Sequence, residues 1–190
     1  MNGGFGRDKP PPPRPGVIEE LSRPGYLHVV LNHLPILGMA FGLFALAVAL
    51  LLRHRAARVT ALSIIALAGA SAWPVLVTGQ QAYRPVRALT DDAGSDALDE
   101  HKERAESWAY AFYATALLAL AAICLPARWP RLRTALEALA TLGAAVSFGA
   151  SLYISQAGGQ VRHTEFRPGP APAALPTPDG SGAKLQPDSL

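Results

Sequence analysis

Four long stretches of this chain carry almost no charge, and that feature decides what it can fold into. Leu34 to Leu52, Val59 to Tyr83 and Ser107 to Ala127 contain no Asp, Glu, Lys or Arg, and Thr134 to Val161 contains only Glu137. A bilayer core about 30 Å thick takes roughly 20 residues of helix, and apolar runs of that length read as membrane-spanning helices. The runs predict helices over about 29–52, 59–79, 106–126 and 135–157. None of them shows the polar face that a soluble bundle turns to water. The expected fold class is therefore an all-α membrane protein, a four-transmembrane-helix up-down bundle over 27–165.

The remainder of the chain has a different composition. Twelve of the 17 prolines fall in residues 1–26 and 166–190, which read as disordered tails too poor in apolar residues to build a core. Lys9-Pro10-Pro11-Pro12-Pro13-Arg14-Pro15 favours polyproline II and reads as a spacer. Only 16% of the residues are charged, against roughly 25% in an average soluble domain. That shortage argues against a nucleic-acid binder. One cysteine, Cys124, forms no internal disulfide. Residues 1–26 lack the apolar core of a cleavable signal, so the first helix is expected to serve as both span and targeting signal.

Short-loop Lys and Arg set orientation. Arg53, Arg55 and Arg58 follow the first span, and Arg128, Arg131 and Arg133 follow the third, without an acid among them. The second loop opposes Arg84, Arg87, Lys102 and Arg104 with seven acids, Asp91 to Glu106. The arginine loops are thus expected in the cytoplasm, and the acidic loop and both termini in the periplasm of a bacterial inner membrane. Small residues suggest the packing. Gly143, Ser147, Ser151, Ser155 and Gly159 form one stripe on the fourth span, and Gly38, Gly42, Ala45 and Ala49 another on the first. Such stripes permit close helix approach in lipid. The two are expected to meet each other, or to form a homo-oligomer. Pro35 and Pro74 each remove a helical N–H. No internal repeat aligns.

Topology also gathers histidines. His28 and His33 open the first span, His101 precedes the third and His163 follows the fourth, all at one end, whereas His54 sits among loop arginines as a solvated residue. An ionisable group within a span is costly, which ranks His33 first, then His101 and His163, with His28 last. Imidazoles on facing helices can clamp a haem iron, and three with a carboxylate such as Glu165 can hold a transition metal. The expected ligands of haem b or a metal ion are His33, His101 and His163. Asn32 and Glu165 would orient a ring, and Arg162 would pair a haem propionate. No catalytic triad or phosphate loop is visible. The expected role is redox or electron transfer beside membrane redox subunits. The alternative is a non-catalytic accessory or assembly subunit of a membrane complex.

Asn32-His33-Leu34-Pro35-Ile36, Thr78-Gly79, His101 and the closing Gly158-Gly159-Gln160-Val161-Arg162-His163-Thr164-Glu165 together resemble a family of bacterial four-helix integral membrane proteins. That family is distantly similar to a wider four-span family of unknown function. The likeness covers about 27–165. It implies that Asn32, His33, Thr78, Gly79, His101, Arg162, His163 and Glu165 form one constellation. In that family an acid follows the middle histidine. Here Lys102 stands there, leaving Glu103 or Glu100 for any carboxylate role.

Overall fold

The computed structural model describes residues 16–126 and 128–169, and the polyproline run lies outside them. Two short helices, α1 (Val17–Leu21) and α2 (Pro24–Leu31), lead into α3 (His33–Leu51). Helices α4 (Arg55–Arg87), α5 (Asp92–Cys124) and α6 (Pro130–Arg162) complete an all-helical bundle, and a 3-10 turn, Thr164–Phe166, follows. Four helical stretches, Pro24–Leu51 and the three long helices, are long and apolar enough to cross a membrane. Helices α4, α5 and α6 have 33 residues each. That is about 50 Å, well beyond the uncharged runs. The extra turns are polar and amphipathic, so they stay helical without belonging to the apolar stretch. Part of the expected N-terminal tail, from Val17, is helical as well.

The bundle reverses the size pattern of a soluble core. Ala61, Ala119, Ala140 and Ala144 are fully buried, while Phe41, Phe44, Leu67, Trp73, Tyr110 and Leu117 are exposed. Small residues inside let the helix backbones approach, and large apolar ones outside suit a lipid surround.

The stripes do not face each other. A Cβ built on Gly38 would stand 2.6 Å from Ala68 Cβ, and one on Gly42 2.6 Å from Ile65 Cγ1, so the α3 stripe packs on α4. On α6, a Cβ at Gly143 would stand 2.6 Å from Thr115 Oγ1, and Ser147 Oγ lies 3.2 Å from that same hydroxyl. The α6 stripe therefore packs on α5. Each stripe meets its chain neighbour, because a short connection makes antiparallel partners of consecutive helices. Helices α3 and α6 also touch and close the ring.

Two halves of the bundle repeat each other, although their residues do not align by type. Advance α4 by a constant number of positions and Ala61, Ile65, Ala68, Ala72, Thr78 and Ala82 fall on Ala140, Ala144, Ser147, Ser151, Ala157 and Val161, all of them buried. A second constant shift carries Met39, Gly42, Leu46 and Ala49 of α3 onto the buried Phe112, Thr115, Ala119 and Ala122 of α5. Under the first shift Arg58 maps onto Glu137, and these two residues pair with each other at 3.0 Å. Contact between equivalent positions is what an approximate two-fold relation about the bundle axis produces.

Candidate functional site

The two halves also place one histidine each in equivalent surroundings. His28 on α2 turns its Nδ1 to the carbonyl of Val75 at 3.0 Å. His101 on α5 turns its Nδ1 to the carbonyl of Ile154 at 3.0 Å. Val75 and Ile154 are equivalent under the shift that relates α4 to α6. One helical turn after each stands a glycine, and each glycine is the floor under a ring. A Cβ on Gly79 would lie 2.9 Å from His28 Cε1, and one on Gly158 3.0 Å from His101 Nδ1. Any side chain at these positions would displace the imidazole.

The tautomer follows from the partners. A carbonyl oxygen only accepts, so Nδ1 of each ring carries the proton and donates it. Each Nε2 is then left with a bare lone pair, the state in which imidazole binds a metal. The two rings meet across the bundle nearly at right angles, with centroids 6.2 Å apart and planes crossing at 85°. They lie in a cavity of about 950 Å³ at the end of the bundle that carries the α4–α5 connection. The cavity walls are mostly apolar. Arg23, Lys102 and Arg162 stand on its lining, as does Asn32, whose buried Oδ1 has no hydrogen-bond partner.

The residues expected from sequence divide between this cavity and the surface. His101, Asn32 and Arg162 line it, whereas His33, His163 and Glu165 do not. His33 is exposed, and its Nδ1 donates to Val29 of the preceding turn at 2.8 Å. His163 pairs with Glu165 at 3.0 Å and lies against the Phe166 ring, 5.0 Å between centroids. A backbone hydrogen bond first, and the hydrogen bond with His163 second, hold the Glu165 carboxyl below its ordinary value. Among the described residues no three His, Cys, Asp or Glu side chains are grouped to hold a metal ion. The three-histidine set is not assembled, because His33 and His163 are satisfied within their own segments. His54 caps α4, accepting from the Ala57 N–H at 3.2 Å.

The histidine ranked last, His28, is thus the one that faces His101. Its five-residue separation from His33 puts the two on different faces of a helix. An ionisable residue near the start of an apolar run also reads as interfacial. The signal that finds it is the repeat: a histidine early in the first helix of each pair, and a glycine late in the second.

Around the cavity mouth, polar side chains fasten the long helices. Arg87 bonds Asp99 at 2.6 Å, Tyr83 donates to the same carboxylate, and Gln80 reaches Glu106 at 3.4 Å, tying α4 to α5. Arg167, beyond α6, grips both Asp91 oxygens at 2.7 and 2.9 Å and the carbonyls of Gln160 and Val161. Comparison with family models, with curated proteins and with solved structures finds no match to this chain.

Proposed function

We propose that this chain is an integral protein of a bacterial inner membrane that binds haem b between His28 and His101 and serves one-electron transfer. The observation that carries the reading is the pair of opposed imidazoles. Two imidazoles sharing one metal ion through bonds of about 2.0 Å would have centroids about 6 Å apart. The separation here is 6.2 Å. Both rings are already locked by their other nitrogen, as ligating histidines characteristically are.

The rest of the cavity fits a flat amphipathic macrocycle. Gly79 and Gly158 hold the rings in place, and apolar walls flank the gap between them. Arg23 and Arg162 would supply cations for two propionates, and Lys102 already stands 3.8 Å from Glu106. When bound, the iron takes up and releases one electron. The chain would contribute two imidazoles, each held through its Nδ1, a mostly apolar surround and cationic side chains at the mouth. Two histidines without a third ligand suit a macrocycle that fills the other positions better than they suit a bare metal ion. The acid-free arginine loops support a periplasmic position for the histidine end and both termini. The shared sequence motifs support membership of the four-helix family that the chain resembles.

An absorption spectrum of the purified protein tests the reading. A Soret band that shifts on reduction is expected, and His28→Ala and His101→Ala should each abolish it. His33→Ala, His163→Ala and His54→Ala should leave it intact. A protein that takes up no haem, or that loses it equally through His33, refutes the assignment. In that event tight co-purification with a partner complex would favour an accessory subunit.

A further inference from the structure

The bundle carries charge at both ends, and only one end balances it. Between Leu21 and Thr164 every acid except Glu137 falls in Asp91–Glu106, at the histidine end. There Arg87, Lys102 and Arg104 meet Asp99, Glu106 and Glu100. At the opposite end stand Arg53, Arg55, Arg58, Arg128, Arg131 and Arg133. Arg58 takes Glu137, at 3.0 Å. The other five form no ion pair among the described residues. Helices α4 to α6 are each about 50 Å long, several times the screening distance of roughly 8 Å in physiological salt. The acids of the histidine end therefore do not answer these arginines, and their counter-charge has to come from outside the bundle.

The α3–α4 connection gives that charge a shape. The Arg53 N–H bonds the Leu50 carbonyl and the His54 N–H bonds the Ala49 carbonyl, each at 3.1 Å. This closing pattern puts Arg53 in the left-handed region, with φ 51°. Glycine is the residue that such a helix end ordinarily takes, because a side chain is strained there. An arginine thus stands where it costs stability, and both it and Arg55 are exposed. His54 Nδ1 accepts the Ala57 N–H, so the neutral ring carries its proton on Nε2 and is a further donor. A shallow groove runs from His54 and Arg55 past Ala56 to Val59 and Thr60 on the first turns of α4. Leu51 and Leu52, immediately before the arginines, are 83% and 70% exposed. Cationic donors here border exposed apolar side chains, the same division that a phospholipid has where its headgroup joins its acyl chains. Trp129, exposed on the α5–α6 connection at the same end, has the amphipathic ring that sits at headgroup level.

We propose that Arg53, His54 and Arg55 bind the headgroup of an acidic phospholipid, a phosphodiester with a net negative charge, whose acyl chains lie against Leu51, Leu52 and Val59. The inference rests on the membrane reading and is independent of haem. A free phosphate would use the donors and leave the apolar flank in water. A zwitterionic lipid would cover the flank but bring its own cation to the arginines. An acidic lipid answers both. Guanidinium groups present paired N–H donors that match phosphate oxygens.

Native mass spectrometry of the full-length protein, released from detergent micelles holding equal amounts of phosphatidylglycerol and phosphatidylcholine, tests this. The unmodified protein should retain phosphatidylglycerol in preference. Arg55→Gln should lower that retention about fivefold, the effect of one basic residue near an anionic surface. Arg53→Gly should lower it as much while relieving the backbone, so its melting temperature in lipid-free micelles should not fall. The loss then belongs to the site and not to the fold. Arg131→Gln, on the other connection, should leave retention nearly unchanged. Inorganic phosphate should displace the lipid no better than sodium chloride of equal ionic strength. Equal retention of the two lipids, retention unchanged in Arg53→Gly and Arg55→Gln, an equal loss from Arg131→Gln, or displacement by phosphate each overturns the inference and leaves the membrane and haem readings standing. A protein that stays monodisperse without detergent and enters no vesicle overturns the membrane reading and this inference with it.

Discussion

The pair α3–α4 and the pair α5–α6 solve one packing problem with opposite assignments of bulk. In the first pair the glycine is on the leading helix: Gly42 of α3 receives Ile65 and Ile64 of α4. In the second it is on the trailing helix: Thr115 of α5 sits on Gly143 of α6. Gly42 and Thr115 are equivalent, and so are Ile64 and Gly143. What is kept between the halves is the sum of the two side chains across the contact, not the residue at either place. Helix association in lipid depends on close approach, and a close approach constrains a pair of volumes. The halves therefore share a burial pattern that a residue-by-residue comparison does not find. At the histidine end, by contrast, the residue types are kept: one His, one carbonyl from a β-branched residue, one Gly. Chemistry constrains identity where packing constrains only volume.

The comparison breaks most readily at the glycines beneath the imidazoles. Gly79→Leu and Gly158→Leu should each push a ring off its carbonyl partner and eliminate haem binding, and the two losses should match. The Soret absorbance per mole of protein measures both. A Gly79 variant that binds normally beside a Gly158 variant that does not would mean that only one half is built as a ligand cradle.

Next in size is the ion pair at the opposite end of the bundle. Glu137 is 9% exposed, and its partner Arg58 is half-buried. Removing one member of a fully buried pair costs about 3–5 kcal/mol. The partial exposure of Arg58 brings that to about 1–3 kcal/mol for Glu137→Leu. Because the two positions are equivalent, the reversal Arg58→Glu with Glu137→Arg should recover most of the loss. Melting temperatures in detergent for the single and double variants decide it. A reversal no better than either single change would deny that the two sites are interchangeable.

The swap of bulk can be tested directly. Gly42→Thr alone should overpack the α3–α4 contact and cost about 1–3 kcal/mol. Adding Ile65→Ala, which copies the equivalent Ala144, should restore part of it. No recovery in the double variant would mean that the fit at this contact is set by more than the two facing volumes.

How much of this could be read from the chain alone follows the same division. The four long apolar helices were legible because a run of about twenty residues without charge, such as Leu34–Leu52 or Val59–Tyr83, is long and apolar enough to cross a membrane. Their ends were not, because Gln80–Arg87 and Asp92–Glu106 are polar turns that stay helical past the apolar run. The partner of each stripe was not legible either. Gly38 and Gly143 mark a close approach without saying to what, and the short connections decide it. His101 was found because topology placed it. His33 was ranked first on the cost of an ionisable group in a span, yet it meets that cost by bonding the Val29 carbonyl of the preceding turn, at the end of α2, and facing outward. His28 was passed over because its partners, Val75, Gly79 and His101, are remote in sequence and assemble only when the helices pack.

The smallest expected effect concerns how the two trailing helices are fastened at the histidine end. Both are tied to the start of α5: α4 through Arg87 and Asp99, α6 through Arg167 and Asp91. No ion pair among the described residues involves α2. The Asp91 carboxyl is held below its ordinary value, first by the Arg167 guanidinium and then by the Gly94 N–H that it caps. A carboxylate with a depressed folded-state value stabilises the fold once pH exceeds its unfolded value, about 3.9. That contribution is lost as pH falls through the lower, folded value. Asp91→Asn should therefore lower the melting temperature slightly at pH 7, and the gap to the unmodified protein should close on acidification below pH 4. The pair is exposed, so the gap should also shrink in high salt. An Asp91→Asn gap that persists in acid would mean that the charge of Asp91 is not what stabilises this end, and that the second half is not fastened by charge as the first is.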